Sequence, residues 1–389
     1  KKVRMFVCGP TVYDYIHIGN ARTFVFFDVV AKYLRYRGYD VNYIQNITDI
    51  DNKIIERAGK EGIDSLEYAK KYTEIFKQDM LALGVNSPEY KNATDHIPEV
   101  IKQVQTLLDK SNAYVIENDG IYFDLSTFPD YGKLSGRTAS MADDAVSRID
   151  DSDKKRNRGD FAVWKFSQDN DPSWPAPFGD GRPGWHIEDT AITEKYFGPQ
   201  YDIHGGGQDL IFPHHEAEIA QQESASGKKP FVKYWMHSGF LVNKDEKMSK
   251  SLGNFETLRG VLNNCSPEAL RFYFLSNHYR APLELTDESL NSAQAAINRV
   301  AETLHRLDIM ENKIGGGILG DLHEKARNEF TEAMDDDFNT PRAFATIFDF
   351  IRNINGILSQ GGLSTSDSNL IKEFFATINK SLGIIPTPI

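Results

Sequence analysis

Residues 3–47, VRMFVCGPTVYDYIHIGNARTFVFFDVVAKYLRYRGYDVNYIQNI, contain the pattern that decides the fold. A short apolar run ends at Gly9-Pro10, and a helical pattern begins at Gly19 after a loop. Its apolar positions, spaced by three and four, are Phe24, Phe27, Ala31 and Leu34. Gly38 stands where a left-handed cap ends such a helix, and residues 41–47 form a second apolar run. Strand, helix and strand in this order indicate a βαβ unit of a parallel sheet, which binds ligands at the carboxyl ends of its strands.

The composition is that of an ordinary globular protein. Of 389 residues, 40% are hydrophobic and 26% are charged, which suffices for two or three domains with real cores. The formal charge of −12 argues against a protein that coats nucleic acid or anionic membranes non-specifically. Cys8 and Cys265 are too few for a disulfide scaffold, so the expected compartment is a reducing cytoplasm. No apolar run reaches the roughly 18–20 residues of a membrane helix.

The pattern changes twice after the βαβ unit. Residues 96–181 contain hairpin-like pieces and are followed by sheet-like residues 201–207, so we interpret residues 96–181 as an insertion. A helix is predicted to begin at Pro213, because proline suits the first turn. From Ser266-Pro267-Glu268 onward the chain is mainly helical. A bundle helix is indicated by Leu290, Ala293, Ile297, Val300, Leu304 and Leu307, and further helices are predicted around residues 321–334, 341–358 and 366–378.

Two short segments carry the chemistry. His17-Ile18-Gly19-Asn20 places imidazole and amide groups at a helix N-terminus, which suits a bound triphosphate. Lys247-Met248-Ser249-Lys250-Ser251-Leu252-Gly253-Asn254 places two ammonium groups in a loop that can close on pyrophosphate. Taken alone, the first segment is more often a plain capping turn, and the second is usually a solvated loop. Together, and in this order, they resemble the HIGH and KMSKS elements of class I aminoacyl-tRNA synthetases.

Further segments are similar to those of the cysteinyl-tRNA synthetases within that class. The resemblance extends from residue 3 to beyond residue 340. Its segments are Cys8-Gly9-Pro10-Thr11-Val12-Tyr13-Asp14, Asn46-Ile47-Thr48-Asp49-Ile50-Asp51, Pro183-Gly184-Trp185-His186-Ile187-Glu188, Asp202-Ile203-His204-Gly205-Gly206-Gly207, Phe212-Pro213-His214-His215-Glu216, Tyr234-Trp235-Met236-His237-Ser238-Gly239 and Asp335-Asp336-Asp337-Phe338-Asn339-Thr340-Pro341.

The resemblance implies a zinc ion that binds the thiolate of a cysteine substrate. The matching ligand positions are Cys8, Asp189, His214 and Glu218. His214 and Glu218 are four residues apart and therefore share one helix face. Asp189 departs from the family, which has a second cysteine ligand there. Because a carboxylate carries the same charge as a thiolate but is a harder donor, we expect zinc to bind with lower affinity or selectivity. The alternative is a site that has lost its metal and holds Asp189 in a salt bridge or hydrogen bond.

The resemblance also assigns positions to the other substrates. The amino-acid pocket corresponds to Gly9, Thr48, Trp185 and His204. ATP, with Mg²⁺, would be held by His17 and Asn20 at its phosphates, by Lys247 and Lys250 at the β- and γ-phosphates, and by Gly206 and Asp209 at the adenosine. Asn20 is a second departure, because the family normally has histidine there. An amide still donates a hydrogen bond, so we expect the function to be retained.

The second substrate that the resemblance implies is tRNA(Cys). Lys154-Lys155-Arg156-Asn157-Arg158 offers a local basic track for phosphates. The alternative is a solvated cluster that Asp150, Asp151 and Asp153 balance. In the family, a helical domain leads to a small anticodon-binding domain, and we expect that last part to be absent because the chain ends at Ile389.

The sequence thus predicts a monomeric, cytoplasmic ligase that forms cysteinyl-adenylate from L-cysteine and ATP and transfers cysteine to tRNA. The fold class is α/β: a Rossmann-type catalytic domain with an inserted subdomain, followed by an all-α bundle. The predicted parts are residues 1–95 and 182–229 (catalytic), 96–181 (insertion), 230–294 (linking region) and 295–389 (tRNA-binding bundle). Two alternatives remain open: a mycothiol-type ligase with an amino-sugar acceptor, and a non-catalytic tRNA-binding homologue.

Overall fold

A five-stranded parallel sheet forms the centre of the N-terminal part of the molecule. The structure, a computed structural model, describes residues 1–137, 152–168, 171–242, 256–309, 319–359 and 363–386, and the backbone of residues 243, 246 and 247. The sheet contains β1 (Lys2–Val7), β2 (Asp40–Ile47), β3 (Glu89–Asn92), β8 (Tyr201–Gly207) and β9 (Val232–Ser238). The strand order is β3-β2-β1-β8-β9, so β2 lies on one side of β1 and β8 lies on the other. A crevice therefore opens at the carboxyl ends of β1 and β8.

The first crossover has the predicted form. α1 (Ile18–Tyr36) follows β1 and begins one residue earlier than expected, because the His17 side chain caps it by accepting a hydrogen bond from the Gly19 N–H at 2.8 Å. Its apolar side is buried on the sheet. Gly38, with φ of 82°, supplies the left-handed residue after the helix. This unit directs the N-terminus of α1 at the crevice.

Two smaller sheets flank the crevice. The first is antiparallel, with the order β4-β5-β6-β7, and consists of β4 (Ala113–Ile116), β5 (Gly120–Phe123), β6 (Phe161–Phe166) and β7 (Gly181–Pro183). The second has the order β11-β10-β12 and consists of β10 (Leu241–Asn243), β11 (Glu246–Lys247) and β12 (Leu283–Glu284). β4, β5 and β6 lie within residues 96–181, the segment that the sequence predicts as an insertion, whereas β7 begins at its last residue and extends to Pro183. β11 carries Lys247 as its last residue.

Helices surround the sheets and form the C-terminal part. Before β12 they are α2 (Asn52–Glu61), α3 (Ser65–Ala82), α4 (Ile97–Asp109), α5 (Ile187–Phe197), α6 (Glu216–Ser226), α7 (Leu258–Leu262) and α8 (Pro267–Leu275). After β12 they are α9 (Asp287–Ile309), α10 (Gly320–Asp335), α11 (Thr340–Ser359) and α12 (Thr365–Leu382). The predicted stripe of α9 packs into the core through Ala293, Ile297, Val300 and Leu307. The predicted fold class is therefore confirmed. Among the described residues, no helix combines the length and apolar character that crossing a membrane requires.

The predicted start of a helix at Pro213 is wrong. Residues Ile211–His215 form a single π-helical turn, in which Phe212 is extended (φ −140°, ψ 131°), and α6 begins at Glu216. The physical reason is the steric restriction on a residue that precedes proline, which keeps Phe212 out of the helical region. The wide turn presents both His214 and His215 to the interior, where both are buried.

A buried charge network joins the two parts of the molecule. Arg271 of α8 donates to Asp28 of α1 at 2.8 Å and to the Leu382 carbonyl at the end of α12 at 2.9 Å. Lys32 donates to the same carboxylate oxygen at 2.8 Å. Burial alone would raise the pKa of Asp28, but Arg271 and Lys32 hold it below its ordinary value. α1 is thus fixed to the C-terminal helices by ionic contacts as well as by packing.

Candidate functional site

A cavity of about 430 Å³ opens at the carboxyl ends of the parallel strands. Loops after β1, β2, β8 and β9 line it, together with the N-terminus of α1 and the residues before α5. The lining includes nine of the residues singled out from the sequence: Cys8, Gly9, His17, Asn20, Thr48, Trp185, Asp189, Asp209 and His214. Residues from six separate segments therefore meet where this class of sheet binds ligands.

Cys8 stands directly after β1, at the base of the cavity. Its amide donates to the Gly205 carbonyl at 3.0 Å, which fixes the residue against the start of the loop after β8. Its Sγ lies 3.2 Å from Nε2 of His204 and 3.2 Å from Nε2 of His215. Burial raises the pKa of the Cys8 thiol well above its ordinary value, and the carboxylates of Glu218 and Asp189 add to the shift. A cation at this position would relieve the repulsion among these groups.

His214 occupies the centre of the second half of the cluster. Its Nε2 lies 3.0 Å from Oδ2 of Asp189 and 3.1 Å from Oε1 of Glu218. Its Nδ1 lies 2.7 Å from Nδ1 of His186. Burial lowers the pKa of His214, but the two carboxylates outweigh burial and raise it. Burial raises the pKa of Glu218, although the contact with His214 opposes that shift.

The four predicted ligands Cys8, Asp189, His214 and Glu218 form one buried cluster. One ligand atom from each lies within 4.8 Å of all the others. Oδ1 of Asp189 is buried without a hydrogen-bond partner, although it is a strong acceptor, and Oε2 of Glu218 lies 3.3 Å from Nε2 of His204. A sulfur, an imidazole nitrogen and two carboxylate oxygens are ligands that zinc accepts in tetrahedral sites. The residues present therefore fit a zinc ion.

His204 and His215 form a second group with Cys8 and Glu218, and their ligand atoms are equally close. His204 does not line the cavity. It is fully buried behind Cys8, with Nδ1 2.5 Å from the Tyr201 hydroxyl. Nδ1 of His215 lies 2.8 Å from Nε2 of His237. These distal contacts fix the orientation of both rings and hence the position of the Cys8 sulfur.

The other three predicted pocket residues lie on the cavity wall. The Gly9 amide donates to Oδ1 of Asn46 at 2.6 Å, and a Cβ at Gly9 would lie only 1.7 Å from the Asn46 carbonyl oxygen. Thr48 donates to Oε2 of Glu188 at 3.1 Å. The Trp185 ring stacks on His214 at a centroid distance of 4.5 Å. Only a glycine fits at position 9, and Trp185 covers the outer face of the histidine.

The predicted nucleotide-binding residues are placed less uniformly. His17 and Asn20 lie at the N-terminus of α1 and line the cavity. Gly207 and Asp209, at the end of β8 and just after it, also line the cavity. Gly206 does not line it, and a Cβ there would lie 3.1 Å from Cε1 of His215. The backbone of Lys247 ends β11, whereas Lys250 and the rest of the loop, residues 248–255, lie outside the described residues.

The basic run at residues 154–158 is neutralised in part within the insertion. Arg156 forms a salt bridge with Asp124 at 3.1 Å, and its guanidinium lies 4.1 Å from the centroid of the Tyr114 ring. The side-chain amide of Asn157 donates to Asp124 at 2.9 Å. Of the three expected balancing charges, Asp150 and Asp151 lie outside the described residues, and Asp153 lies within them. Asp124, which sequence reasoning did not consider, balances Arg156.

Four residues of the site were not assigned a role from the sequence. They are His186, His215, His237 and Lys53. The three histidines fall within segments that resemble the family. The contacts of His186 with His214 and of His215 with His237 depend on how the residue before α5, the π turn and β9 meet, which no local pattern reveals. Lys53, in the first turn of α2, is the only lysine or arginine among the described residues that line the cavity. The only indication of a role for Lys53 in the sequence was that it follows residues 46–51, a segment that resembles the family.

Comparison with known proteins first defines the class. Residues 1–295 match the family model for the tRNA synthetases class I (C) catalytic domain, and residues 329–385 match the DALR domain. The fold is that of methionyl-tRNA synthetase from Mycobacterium tuberculosis, solved with methionyl-adenylate (TM-score 0.71, 15% identity, 98% of this chain and 89% of that one). It is also that of LeuRS from Agrobacterium radiobacter, solved with tRNA (TM-score 0.71, 12% identity, 99% of this chain and 84% of that one). The fold is thus that of a class I aminoacyl-tRNA synthetase.

Closer relatives identify the family. The chain is 50% identical over 395 residues to the cysteine–tRNA ligase of Trichlorobacter lovleyi, which covers 99% of this chain and 80% of that protein. It is 46% identical to the enzyme of Carboxydothermus hydrogenoformans (98% and 82%) and 44% identical to that of Thermococcus onnurineus (98% and 82%). The chain belongs to the cysteine–tRNA ligase family.

Proposed function

We propose that this chain activates L-cysteine with ATP as cysteinyl-adenylate and transfers the cysteine to the 3′-terminal adenosine of tRNA(Cys). The observation that carries the proposal is the cluster of Cys8, Asp189, His214 and Glu218, which faces the same cavity as the capped N-terminus of α1. One wall thus offers a metal site for a thiol, and another offers the side chains of His17 and Asn20, at the positive end of the α1 dipole, for phosphates. The relatives named cysteine–tRNA ligases support the proposal independently.

The cluster would recognise the side chain of the substrate. Cys8, Asp189, His214 and Glu218 would hold zinc, and a bound zinc ion would supply a Lewis acid that favours a thiolate over a hydroxyl. The chain's own residues keep this site in place: His204 and His215 fix the Cys8 sulfur, and Trp185 covers His214. Pocket shape alone separates substrates that differ by one small group by only about 10–200-fold. A metal-based distinction would therefore raise selectivity against serine without a separate editing site.

The N-terminus of α1 would stabilise the activation step. The cysteine carboxylate attacks the α-phosphorus of ATP, a bond from the carboxylate oxygen to phosphorus forms, and pyrophosphate leaves with the electrons of the broken P–O bond. His17 and Asn20 lie where they can donate to the phosphate oxygens, and the partial positive charge of the helix end adds to their effect. Lys247 and Lys250 would neutralise the negative charge of the leaving pyrophosphate. The substrate ATP would enter together with Mg²⁺. No covalent enzyme intermediate is needed.

The transfer step uses the same cavity. A ribose hydroxyl of the terminal adenosine attacks the carbonyl carbon of the adenylate, an ester forms, and AMP leaves with the electrons of the broken bond. Gly206, near the end of β8, and Asp209, in the turn that follows, would lie beside the adenosine of the adenylate; of the two, Asp209 lines the cavity. The predicted division into residues 1–95, 96–181, 182–229, 230–294 and 295–389, the monomeric state and the cytoplasmic location belong to the same proposal.

Cysteine-dependent exchange of radiolabel between pyrophosphate and ATP tests the activation step. We expect exchange with cysteine and at least 100-fold weaker exchange with serine, as an estimate from the roughly 10–200-fold limit of shape discrimination plus a metal contribution. The matched control is Cys265→Ala, which alters a buried thiol away from the cavity. Cys8→Ala should lose exchange, whereas Cys265→Ala should keep it. No cysteine-dependent exchange by the unaltered chain would contradict the proposal and favour a non-catalytic homologue.

A further inference from the structure

Two sets of candidate metal ligands overlap at the base of the cavity. The open set is the cluster of Cys8, Asp189, His214 and Glu218. The closed set shares two of these residues and replaces the other two by histidines; its members are Cys8, His204, His215 and Glu218. In each set, one ligand atom from every residue lies within 4.8 Å of all the others. Because Cys8 and Glu218 belong to both sets, an ion fills only one of them at a time.

Glu218 offers a different carboxylate oxygen to each set. Its Oε1 lies 3.1 Å from Nε2 of His214, and its Oε2 lies 3.3 Å from Nε2 of His204. The Cys8 sulfur lies 3.2 Å from Nε2 of His204 and 3.2 Å from Nε2 of His215. In a tetrahedral zinc site with ligands at about 2.0–2.3 Å, neighbouring ligand atoms are roughly 3.3–3.6 Å apart. The contacts within the closed set are therefore close to the spacing that zinc requires.

Hydrogen bonds join the atoms of the closed set only two at a time. The Cys8 thiol has one hydrogen, but its sulfur lies equally close to two imidazole nitrogens. Nε2 of His204 in turn lies near both that sulfur and the Glu218 carboxylate. A metal ion, in contrast, accepts a lone pair from all four atoms at once. The convergence of a sulfur, two ring nitrogens and a carboxylate oxygen is thus the arrangement that a metal site needs.

The second nitrogen of each ring in the closed set has a protein partner. Nδ1 of His204 lies 2.5 Å from the Tyr201 hydroxyl, and Nδ1 of His215 lies 2.8 Å from Nε2 of His237. Histidines that bind metal have such a contact at the nitrogen remote from the ion, because it fixes the ring and leaves the other nitrogen for the metal. In both rings the other nitrogen, Nε2, is the atom that faces Cys8.

The charge of the closed set matches that of zinc. When they bind a metal, Cys8 and Glu218 are negative and the two imidazoles are neutral, so the set balances the two positive charges of the ion. The open set adds the carboxylate of Asp189 and leaves one negative charge in a buried cluster, which is costly. The closed set also has three nitrogen or sulfur donors, whereas the open set has two. It is therefore a competent zinc site by itself.

The closed set does not face the cavity. His204 and His215 are fully buried and do not line it, whereas Asp189 and His214 do. The π turn at residues 211–215 makes this possible, because it directs successive histidines to two different sets. Four protein donors without an open position are typical of a structural zinc site, whereas a site for substrate keeps one position open.

We propose that Cys8, His204, His215 and Glu218 form a second, closed position for zinc, which holds the ion while Asp189 and His214 bond to each other. This inference rests on the proposed function only in taking zinc as the ion. The contact of 3.0 Å between Oδ2 of Asp189 and Nε2 of His214 is compatible with an ion in the closed position. Because four protein donors leave no position for a substrate thiol, the closed position retains zinc without binding cysteine.

Zinc binding by His214→Ala tests the proposal, because this variant removes a ligand of the open set alone. The readouts are the zinc stoichiometry, the dissociation constant by chelator competition, and the number of imidazole ligands by X-ray absorption at the zinc edge. We expect one zinc ion per chain, bound by two imidazoles and one sulfur, with an affinity within about 100-fold of that of the unaltered chain. Asp189→Ala, which also leaves the closed set intact, should show the same coordination.

A double variant and a control isolate the contribution of the closed set. His214→Ala combined with His215→Ala removes a ligand from each set, and it should bind zinc about tenfold or more weakly than His214→Ala alone. His96→Ala changes a buried histidine outside both sets and is the matched control. It should keep the zinc affinity of the unaltered chain. Far-UV circular dichroism checks that each variant is folded.

Folded His214→Ala and Asp189→Ala proteins that bind no stoichiometric zinc would overturn the proposal. Zinc retained with fewer than two imidazoles would also overturn it, because hydrogen bonds alone would then account for the two histidines. These measurements need no turnover. Zinc bound by two imidazoles in the variants, without cysteine-dependent pyrophosphate exchange by the unaltered chain, refutes the proposed function alone. Exchange by the unaltered chain, together with variants that bind no zinc, refutes this inference alone.

Discussion

Asp189 lies on the cavity wall with Oδ2 3.0 Å from Nε2 of His214 and with Oδ1 buried without a hydrogen-bond partner. Both alternatives drawn from the sequence are visible in this geometry. The contact with His214 is the hydrogen bond or salt bridge expected of a site without metal. The unpartnered Oδ1 of Asp189 is an acceptor expected of a metal site. A measurement of zinc affinity therefore distinguishes the two alternatives, a proton shared by Asp189 and His214 or a metal ion bound by the cluster.

Asp189→Cys should increase zinc affinity, because a thiolate is a softer donor than a carboxylate and restores the ligand set of the family. We expect the zinc affinity to rise about tenfold or more, because changes in the contacts around a metal alter its affinity by about 10–100-fold. Competition with a chromophoric chelator measures the zinc affinity. Asp189→Ala should lower it. Asp209→Asn, a change in the same cavity but outside the cluster, is the control. Equal zinc affinity in all four proteins would show that Asp189 is not a ligand.

At the scale of elements, β8 and α1 pack so closely that one residue of β8 must be glycine. A Cβ at Gly205 would lie 2.3 Å from two carbons of the Phe27 ring. The same residue accepts the hydrogen bond from the Cys8 amide. The glycine therefore sets both the distance between β8 and α1 and the position of a candidate metal ligand.

Gly205→Ala should destabilise the protein by about 1–3 kcal/mol, as overpacked cores do. Gly59→Ala is the matched control, because Gly59 lies within α2 and a Cβ there meets no atom within 4 Å. That control should be neutral or stabilising by about 0.5–1 kcal/mol. Chemical denaturation measures both free energies of unfolding. If the two variants were equally stable, the close packing of β8 on α1 would be contradicted.

A second contact between elements is the buried pair of Asp28 in α1 and Arg271 in α8, with side-chain exposures of 0% and 2%. Removing one partner of a buried pair costs about 3–5 kcal/mol, so Asp28→Asn should destabilise the protein by that order at neutral pH. The folded pKa of Asp28 is below the ordinary value of an unfolded chain, about 3.9. The stability that ionised Asp28 contributes is therefore complete above the unfolded pKa and is lost as the pH falls through the lower, folded pKa.

Denaturation of the unaltered chain and of Asp28→Asn at neutral and acidic pH checks this prediction. The difference between them should shrink below about pH 4. Asp349→Asn, which removes an exposed pair with Arg352, should change stability by less than about 0.5 kcal/mol at either pH. A difference for Asp28→Asn that stayed constant or grew in acid would contradict the assigned ionisation.

At the scale of the whole molecule, the local patterns were sufficient for the fold. Residues 3–47 predicted the first βαβ unit, and apolar spacings predicted the helices that form α9 to α12, because these depend on residues near one another in sequence. Strands β4 to β6 of the antiparallel sheet fall within residues 96–181, which we interpret as an insertion, but β7 extends beyond that boundary to Pro183. The π turn at residues 211–215 was missed because a proline is compatible both with the first turn of an α-helix and with this π turn. The residue pattern therefore does not distinguish the two conformations.

The site was predictable only in part. Motifs located Cys8, His17, Asn20, Asp189 and His214, and all of these line one cavity. The contacts of Cys8 with His204 and His215, and of His215 with His237, arise from strand order, since β1 lies beside β8 and β8 beside β9. Relations of this kind become visible only when the elements are assembled.

The central claim is that cysteine, once activated, is transferred to tRNA. The most direct measurement supplies this chain with ATP, Mg²⁺ and radiolabelled cysteine, and offers tRNA(Cys) and glucosaminyl-inositol as acceptors in separate reactions. We expect a labelled ester at the 3′ end of the tRNA, no labelled amino sugar, and no product when serine replaces cysteine. Labelling of glucosaminyl-inositol in place of tRNA, or no labelled product with either acceptor, would contradict the claim.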